Sequence, residues 1–312
     1  MRALVTGGAG FIGSNLVDAL VARGDEVVVL DDLSSGKESN LSGALAAGAR
    51  LEVADIRDGD AVRRIVSEAR PEVVFHLAAQ IDVRVSVDRP DYDARTNVEG
   101  TVNVLEAARQ AGARRLVFSS TGGAIYGETD EVPTPETHVA QPMAGYGTSK
   151  LCAEQYLGLY ERLYGLSTVA LRFGNVYGPR QDPHGEAGVI AIFVGKYHSG
   201  EQPKVFGDGT QTRDYIFVGD LVEAIVTAGD SDATGAINLG TEEDTNILEL
   251  IAALEAAGDG RTFEPEFADA RLGEIERSCL KVAKAREVLG WEAKTDVRAG
   301  VAKTLAAVAP AA

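Results

Sequence analysis

Residues 6–13 read TGGAGFIG, immediately behind the apolar run RALVT (residues 2–6) and immediately ahead of a helical pattern at residues 11–23. Glycine spacing of this kind is weak evidence in isolation, but between a strand and a helix it predicts a dinucleotide cradle. Gly7, Gly8, Gly10 and Gly13 let backbone approach a pyrophosphate. The helix N-terminus supplies free N–H groups and a partial positive charge.

Such a cradle requires a parallel βαβ unit, and the following sequence has that rhythm. Strands are predicted at residues 2–6, 26–31, 50–54, 72–76, 115–119 and 167–172, with helices near 11–23, 58–69, 93–111 and 146–164. Strands this apolar, regularly separated by helices, are buried on both faces, so the expected architecture is a Rossmann-type doubly wound parallel α/β sheet. After residue 173 the pattern turns irregular, with Gly/Pro-rich loops, short strands and further helical stretches. The reading is therefore a dinucleotide-binding domain over 1–173, completed by about 212–241, where DYIFVGDLVEAIVTAGD returns to the main sheet. A smaller C-terminal α/β substrate-binding lobe is expected over about 174–211 and 242–312.

The net charge is −17 and the pI about 4.7, which disfavours nucleic acid and anionic membranes as partners. An anionic ligand must then be held locally, by helix N-termini and placed arginines. Cys152 and Cys279 match no metal or redox spacing, and His76, His138, His184 and His198 are scattered, so no metal site is expected. No long apolar h-region precedes the first glycines, and no segment reaches the ~18 apolar residues of a span, so the expected location is cytoplasmic.

The second strand ends in LDDLSSG, placing Asp31 near the ~20-residue interval at which a carboxylate accepts the adenosine ribose hydroxyls. An acid there repels a 2′-phosphate, which favours NAD over NADP; Asp32 can share the role. Asp55, followed by Ile56, suits the adenine edge, and LAAQ (Leu77, Ala78, Ala79, Gln80) ends the fourth strand in mostly small residues. YGTSK sets Tyr146 and Lys150 four apart on one helix face. An ammonium and the positive nicotinamide ring both favour phenolate, making Tyr146 a candidate general base. SSTGGAIYG (119–127) reads locally as either a turn or a site hydroxyl at Thr121.

Taken together, TGGAGFIG, Asp31, Asp55 with Ile56, SST, YGTSK and LRFGNVYGP resemble the extended short-chain dehydrogenase/reductase superfamily, and within it the UDP-glucose 4-epimerases, over essentially the whole chain. The resemblance implies that Thr121, about 25 residues before Tyr146, is the active-site hydroxyl. It adds Phe11, Ile12, Ser35, Gly36, Asn97, Ser119 and Phe173 to the NAD contacts. For the nucleotide sugar it implies Asn175 and Arg213 at the diphosphate region, Val205, Phe206 and Gly207 at uracil, Arg271 and Glu274 at the diphosphate and uridine ribose, and Gly188 with Val189.

The implied reaction is C4 epimerisation of a UDP-hexose through a transient 4-keto sugar. Tyr146 takes the O4 proton, Lys150 and Thr121 assist, and NAD is regenerated within the cycle. A 4,6-dehydratase would need an acid and base after Thr121, where Gly122 and Gly123 stand. A UDP-glucuronate decarboxylase, or a Rossmann protein that binds NAD without turnover, would share the fold and the cradle. Ser278 falls where bulk limits the sugar pocket in this family, so its small side chain leaves N-acetylhexosamines and uronates open. A homodimer through the helices near 93–111 and 146–164 is also implied.

Overall fold

The structure is a computed structural model and describes residues 1–183, 188–270 and 275–308. Its main sheet has seven strands: β1 (Arg2–Thr6), β2 (Glu26–Asp31), β3 (Arg50–Val53), β4 (Val73–His76), β5 (Arg115–Thr121), β6 (Ser167–Phe173) and, from the later chain, β10 (Gly235–Leu239). Their order is β10-β6-β5-β4-β1-β2-β3. β1 runs parallel to both β2 and β4, with Val5 opposite Val29 on one side and Phe75 on the other. The order reverses between β1 and β4, and at such a switch point the carboxyl ends of two strands diverge and leave a crevice.

Helices α1 (Phe11–Ala22), α2 (Ser42–Ala46), α3 (Gly59–Ala69), α4 (Val83–Asp88), α5 (Pro90–Ala94), α6 (Gly100–Gln110), α7 (Gly122–Ile125) and α8 (Gly145–Tyr164) punctuate the strands. One face of the sheet is sealed by a core of Leu4, Val74, Leu116, Val62, Ile65, Val104, Leu105 and Leu157, all at most 2% exposed. The predicted helix near 93–111 is present as one unbroken helical run from Pro90 to Gln110, in which α5 passes into α6 through a π-helical turn, Arg95–Glu99. That turn is shaped by polar contacts of Asn97 described below, which the apolar pattern does not encode.

Two compact units divide the chain. The first comprises Met1–Gly127, Val139–Arg172 and Val222–Ile237; the second comprises Glu128–His138, Phe173–Leu221 and Asn238–Ala312. This corrects the expected boundaries. Residues 212–217 form β9 (Thr212–Phe217), which does not return to the main sheet; the returning strand is β10. The excursion 128–138 also belongs to the second unit: the Asn238 side chain donates to the Thr134 carbonyl at 3.0 Å, and the Asn238 N–H to Glu136 at 2.8 Å. Both are long-range pairings that no local pattern announces.

In the second unit β9 pairs in parallel with β7 (Asn175–Tyr177) and β13 (Arg277–Ser278), and antiparallel with β11 (Asp244–Asn246). A separate pair joins β8 (Lys204–Phe206) to β12 (Glu266–Ala268). Tyr177, Phe193, Val194, Val205, Ile251, Leu254 and Val301 fill the core, drawn partly from α9 (Val189–Ser199), α10 (Ile247–Ala257) and α11 (Val297–Ala307). No helix among the described residues is long and apolar enough to cross a membrane.

The first unit buries Arg115 with no carboxylate bonded to it among the described residues. Arg115 on β5 is 1% exposed and donates to the carbonyls of Ala228 and Ala233 (both 2.6 Å) and to the hydroxyl of Ser167 (2.7 Å). Arg115→Leu strands these acceptors in a dry environment and is expected to lower stability by about 3 kcal/mol. Urea unfolding checks this, with an unchanged midpoint as the contrary result.

Candidate active site

The cradle forms where β1 turns into α1. Gly7 takes a left-handed backbone (φ 70°) and donates to the Leu30 carbonyl at 2.9 Å. A Cβ at Gly7 would sit 2.6 Å from the Ala78 nitrogen, and one at Gly13 would overlap the Gly7 carbonyl oxygen. The end of β1, the end of β4 and the first turn of α1 therefore approach backbone to backbone. The α1 N-cap is Gly10 and no side chain caps the turn, so the first-turn N–H groups at Phe11, Ile12 and Gly13 are not claimed by a capping oxygen. A dinucleotide pyrophosphate fits this arrangement.

The Asp31 carboxylate is 6% exposed and already holds two backbone donors, Ala9 N–H and Leu33 N–H, each at 2.9 Å. Burial raises its pKa above the ordinary carboxylate value, opposed by those two bonds. Gly36 comes so close that a Cβ there would lie 2.9 Å from Asp31 Oδ1. Asp32 is exposed and bonds within its own turn to Ser34, leaving Ser35 exposed beside it. Asp55 is clamped by Arg57, whose Nε donates at 2.9 Å and whose Nη2 also contacts the carboxylate; that hydrogen bonding holds the Asp55 pKa low. Arg57 also lies over the Tyr92 ring, 5.1 Å from its centroid. With Asp58, Arg95 and Glu99, Asp55 and Arg57 line a charged hollow of about 510 Å³. The Ile56 side chain is 5% exposed in the core against Gly100, which leaves its backbone as the part that can face a cofactor.

The end of β4 is fixed from below by a relay of neutral groups. Thr101 Oγ1 donates to the Asn97 carbonyl at 2.7 Å, so it accepts from His76 Nε2 at 3.0 Å. His76 Nδ1 then accepts the Thr6 hydroxyl at 2.6 Å, and Thr6 in turn accepts the Ala78 N–H at 3.2 Å. Burial pushes the His76 pKa down to about 3, consistent with this neutral tautomer. Asn97 is 2% exposed. Its side chain brackets Gln80, accepting the Gln80 N–H and donating to the Gln80 carbonyl, both at 2.8 Å. Asn97 thus reaches toward LAAQ through Gln80, with its own amide occupied.

α8 carries Tyr146 and Lys150. Two glycines permit its docking: a Cβ at Gly145 would lie 2.6 Å from the Ser86 carbonyl oxygen, and one at Gly147 would overlap the carbonyl oxygen of Ala124 in α7. Lys150 is 2% exposed and donates to the Ser119 carbonyl at 2.8 Å. Its Nζ lies 5.8 Å from the Tyr146 ring centroid and 4.6 Å from that of Phe118. Burial lowers the Lys150 pKa to about 7, and burial with the Asp93 charge raises that of Tyr146 above the ordinary phenol value. With Lys150 alone beside it, Tyr146 is held above the ordinary phenol value. Thr121 resolves the local ambiguity by serving as a turn residue whose hydroxyl can still act. Its Oγ1 accepts the Ala124 N–H at 3.2 Å as N-cap of α7, which uses a lone pair and leaves the hydroxyl proton to be donated.

In the second unit, Asn175 opens β7 opposite Tyr215, and Gly188 is the N-cap ahead of Val189. Arg213 is partly buried in β9, with Ser278 opposite it. The Val205 side chain is 1% exposed in the core and its backbone pairs with Phe267 in the β8–β12 ladder. Phe206 is partly buried and Gly207 turns left-handed (φ 70°). Phe173, at the end of β6, is 7% exposed. Arg271, Glu274 and His184 lie outside the described residues.

Sequence reasoning misses Asp93 and Ser149, which join α5 to α8 through a 2.5 Å bond. Asp93 stands one helical turn before Asn97 and Ser149 lies inside YGTSK, so the spacing is visible in the chain but the partnership is not.

Residues 3–240 match the NAD dependent epimerase/dehydratase family. The chain is 49% identical to a UDP-glucose 4-epimerase of Mycolicibacterium smegmatis over 98% of its own length and 97% of that protein. Among solved structures, the UDP-glucose 4-epimerase of Thermotoga maritima with UDP-glucose superposes at TM-score 0.94, with 45% identity and 98% of both chains covered. The Thermus thermophilus UDP-glucose 4-epimerase in complex with NAD gives 0.91, also at 45% identity and 98% of each chain.

Because a methyl at residue 13 would collide with backbone, Gly13→Ala should purify folded by circular dichroism yet lose most of its bound dinucleotide. Quantifying the nucleotide released on denaturation checks this; a wild-type content would contradict the cradle.

Proposed function

The chain belongs to the NAD-dependent epimerase/dehydratase family, uses NAD, and on that premise we propose that it interconverts UDP-glucose and UDP-galactose by inverting C4. When bound, NAD supplies an acceptor for the C4 hydride and returns it. This chain's residues do the rest. Tyr146 takes the O4 proton as hydride leaves and gives it back as hydride returns. Lys150, anchored on the Ser119 carbonyl, sets a cation beside the phenol and favours its ionised form. Thr121 donates its remaining hydroxyl proton to O4 and fixes the sugar's orientation.

The observation that carries this reading is the 2.8 Å bond from Lys150 to the strand end leading into Thr121, because it couples base, cation and hydroxyl in one element pair. The first residues after Thr121 are Gly122 and Gly123, which can neither protonate a leaving hydroxyl nor remove a C5 proton, so the ketone's available path is back to alcohol. The nucleotide is assigned to Asn175, Phe206, Gly207 and Arg213, with Arg271 and Glu274 carried over from the resemblance. Arginine suits a diphosphate through its paired donors. We assign it a homodimeric state on the same resemblance, and the cytoplasm on the sequence reading, in which no apolar h-region precedes the first glycines and no segment is long and apolar enough to span a membrane.

Purified protein given UDP-glucose without added NAD should form UDP-galactose, and Tyr146→Phe should lower kcat by about 10³-fold. Separation of the 4-epimers reads both. Equal rates in the two proteins would overturn the assignment of the base.

A further inference from the structure

A carboxylate that the mechanism does not use is buried directly behind the reacting pair. Asp93, in α5, is 1% exposed. Its Oδ1 accepts from Gln80 Nε2 at 2.9 Å and from Asn97 Nδ2 at 3.0 Å, and its Oδ2 accepts the Ser149 hydroxyl at 2.5 Å. All three donors are neutral. Burying an ionised carboxylate among neutral donors is costly, and packing alone would be served more cheaply by an apolar side chain.

What the three donors have in common is their location. Gln80 ends the LAAQ stretch after β4, Asn97 sits in the π-helical turn, and Ser149 lies in α8 just before Lys150. We propose that Asp93 is a positioning residue that locks the rotation of α8 and the tip of β4 against one node, so that Tyr146 and Lys150 face the cofactor cradle in fixed register.

The mechanical argument follows from helix geometry. Each residue turns about 100° around the axis, so pinning Ser149 sets the direction of Lys150, one residue on, and of Tyr146, three residues back. Without the pin, α8 keeps its apolar packing but can roll by a fraction of a turn, and a shift near 1 Å at the reacting groups can cost ~10²-fold in rate. Asn97 transmits the same constraint to Gln80 by bonding both its N–H and its carbonyl. The other titratable groups around the pair are accounted for. His76 is neutral in its hydroxyl relay, and Glu154, one turn beyond Lys150, is held by Arg172 at 2.6 Å. Asp93 is thus a carboxylate acting on both Tyr146 and Lys150 that has no cation of its own as a hydrogen-bond partner, and it raises the pKa of each.

The inference rests on Tyr146 and Lys150 being the reacting pair, and Tyr146→Phe tests that separately. Asp93→Asn, Ser149→Ala and the double variant are to be compared with wild type for kcat, KM, bound NAD, thermal midpoint and amide hydrogen exchange in α8. Each single variant should stay folded and NAD-loaded, lose about tenfold to 10²-fold in kcat with KM changed by less than about threefold, and exchange faster over the first two turns of α8. The double variant should be no slower than the worse single, because both break one link. Removing the negative charge should also move both limbs of the Asp93→Asn pH–rate profile to lower pH. Wild-type kcat and exchange in Ser149→Ala, additive losses in the double variant, or an unmoved pH profile would each overturn the proposal. Should Asp93→Asn not fold, Ser149→Ala still decides it.

Discussion

The site is built around a close approach between two pieces of backbone. Gly7, at the end of β1, lies against Leu77 and Ala78, at the end of β4, with no room for a methyl between them. The doubly wound strand order opens a crevice there, and the glycines keep it free of side chains so that a pyrophosphate can reach the N-terminus of α1. The other components are attached to those two strand ends: Asp31 holds the Ala9 N–H in the cradle, and Thr6 with His76 holds Ala78.

A backbone approach this tight needs stiff supports, and the chain provides them as buried polar groups that are fully paired. The Thr6–His76–Thr101 relay uses neutral donors and acceptors, avoiding the cost of an unpaired charge. Behind α8, Glu154 takes both Arg172, bidentate, and the Ser120 hydroxyl at 2.6 Å, next to Thr121. Asp93 is the third such node. Loose packing would have left the ammonium and the hydroxyl free to drift independently, whereas Lys150 bonds the Ser119 carbonyl and Thr121 the Ala124 N–H.

Much of this was legible in the sequence because it is local. The alternation of apolar runs and helical patterns put β1 and β2 at their observed bounds and the other predicted sheet strands within two residues of theirs, and GGAGFIG and YGTSK announced themselves by spacing. The features that were not legible depend on partners far along the chain. Residues 128–138 joined the second unit through Asn238, and β9 left the main sheet by pairing with β7, β11 and β13. That the side chains of Ile56 and Val205 pack into core was not readable from their polar or glycine-rich neighbours. The π-helical turn at Arg95–Glu99 was hidden because an apolar pattern cannot register the hydrogen bonds Asn97 makes with Gln80 and Asp93.

On the proposed reading a single site removes hydride from C4 and a proton from O4 and returns the same hydride to the other face. UDP-glucose deuterated at C4, incubated with the purified protein in ordinary water, tests this directly by mass and NMR analysis of the product. The expected product is UDP-galactose that keeps its deuterium at C4. Release of the label to solvent, or its appearance at another carbon, would contradict it.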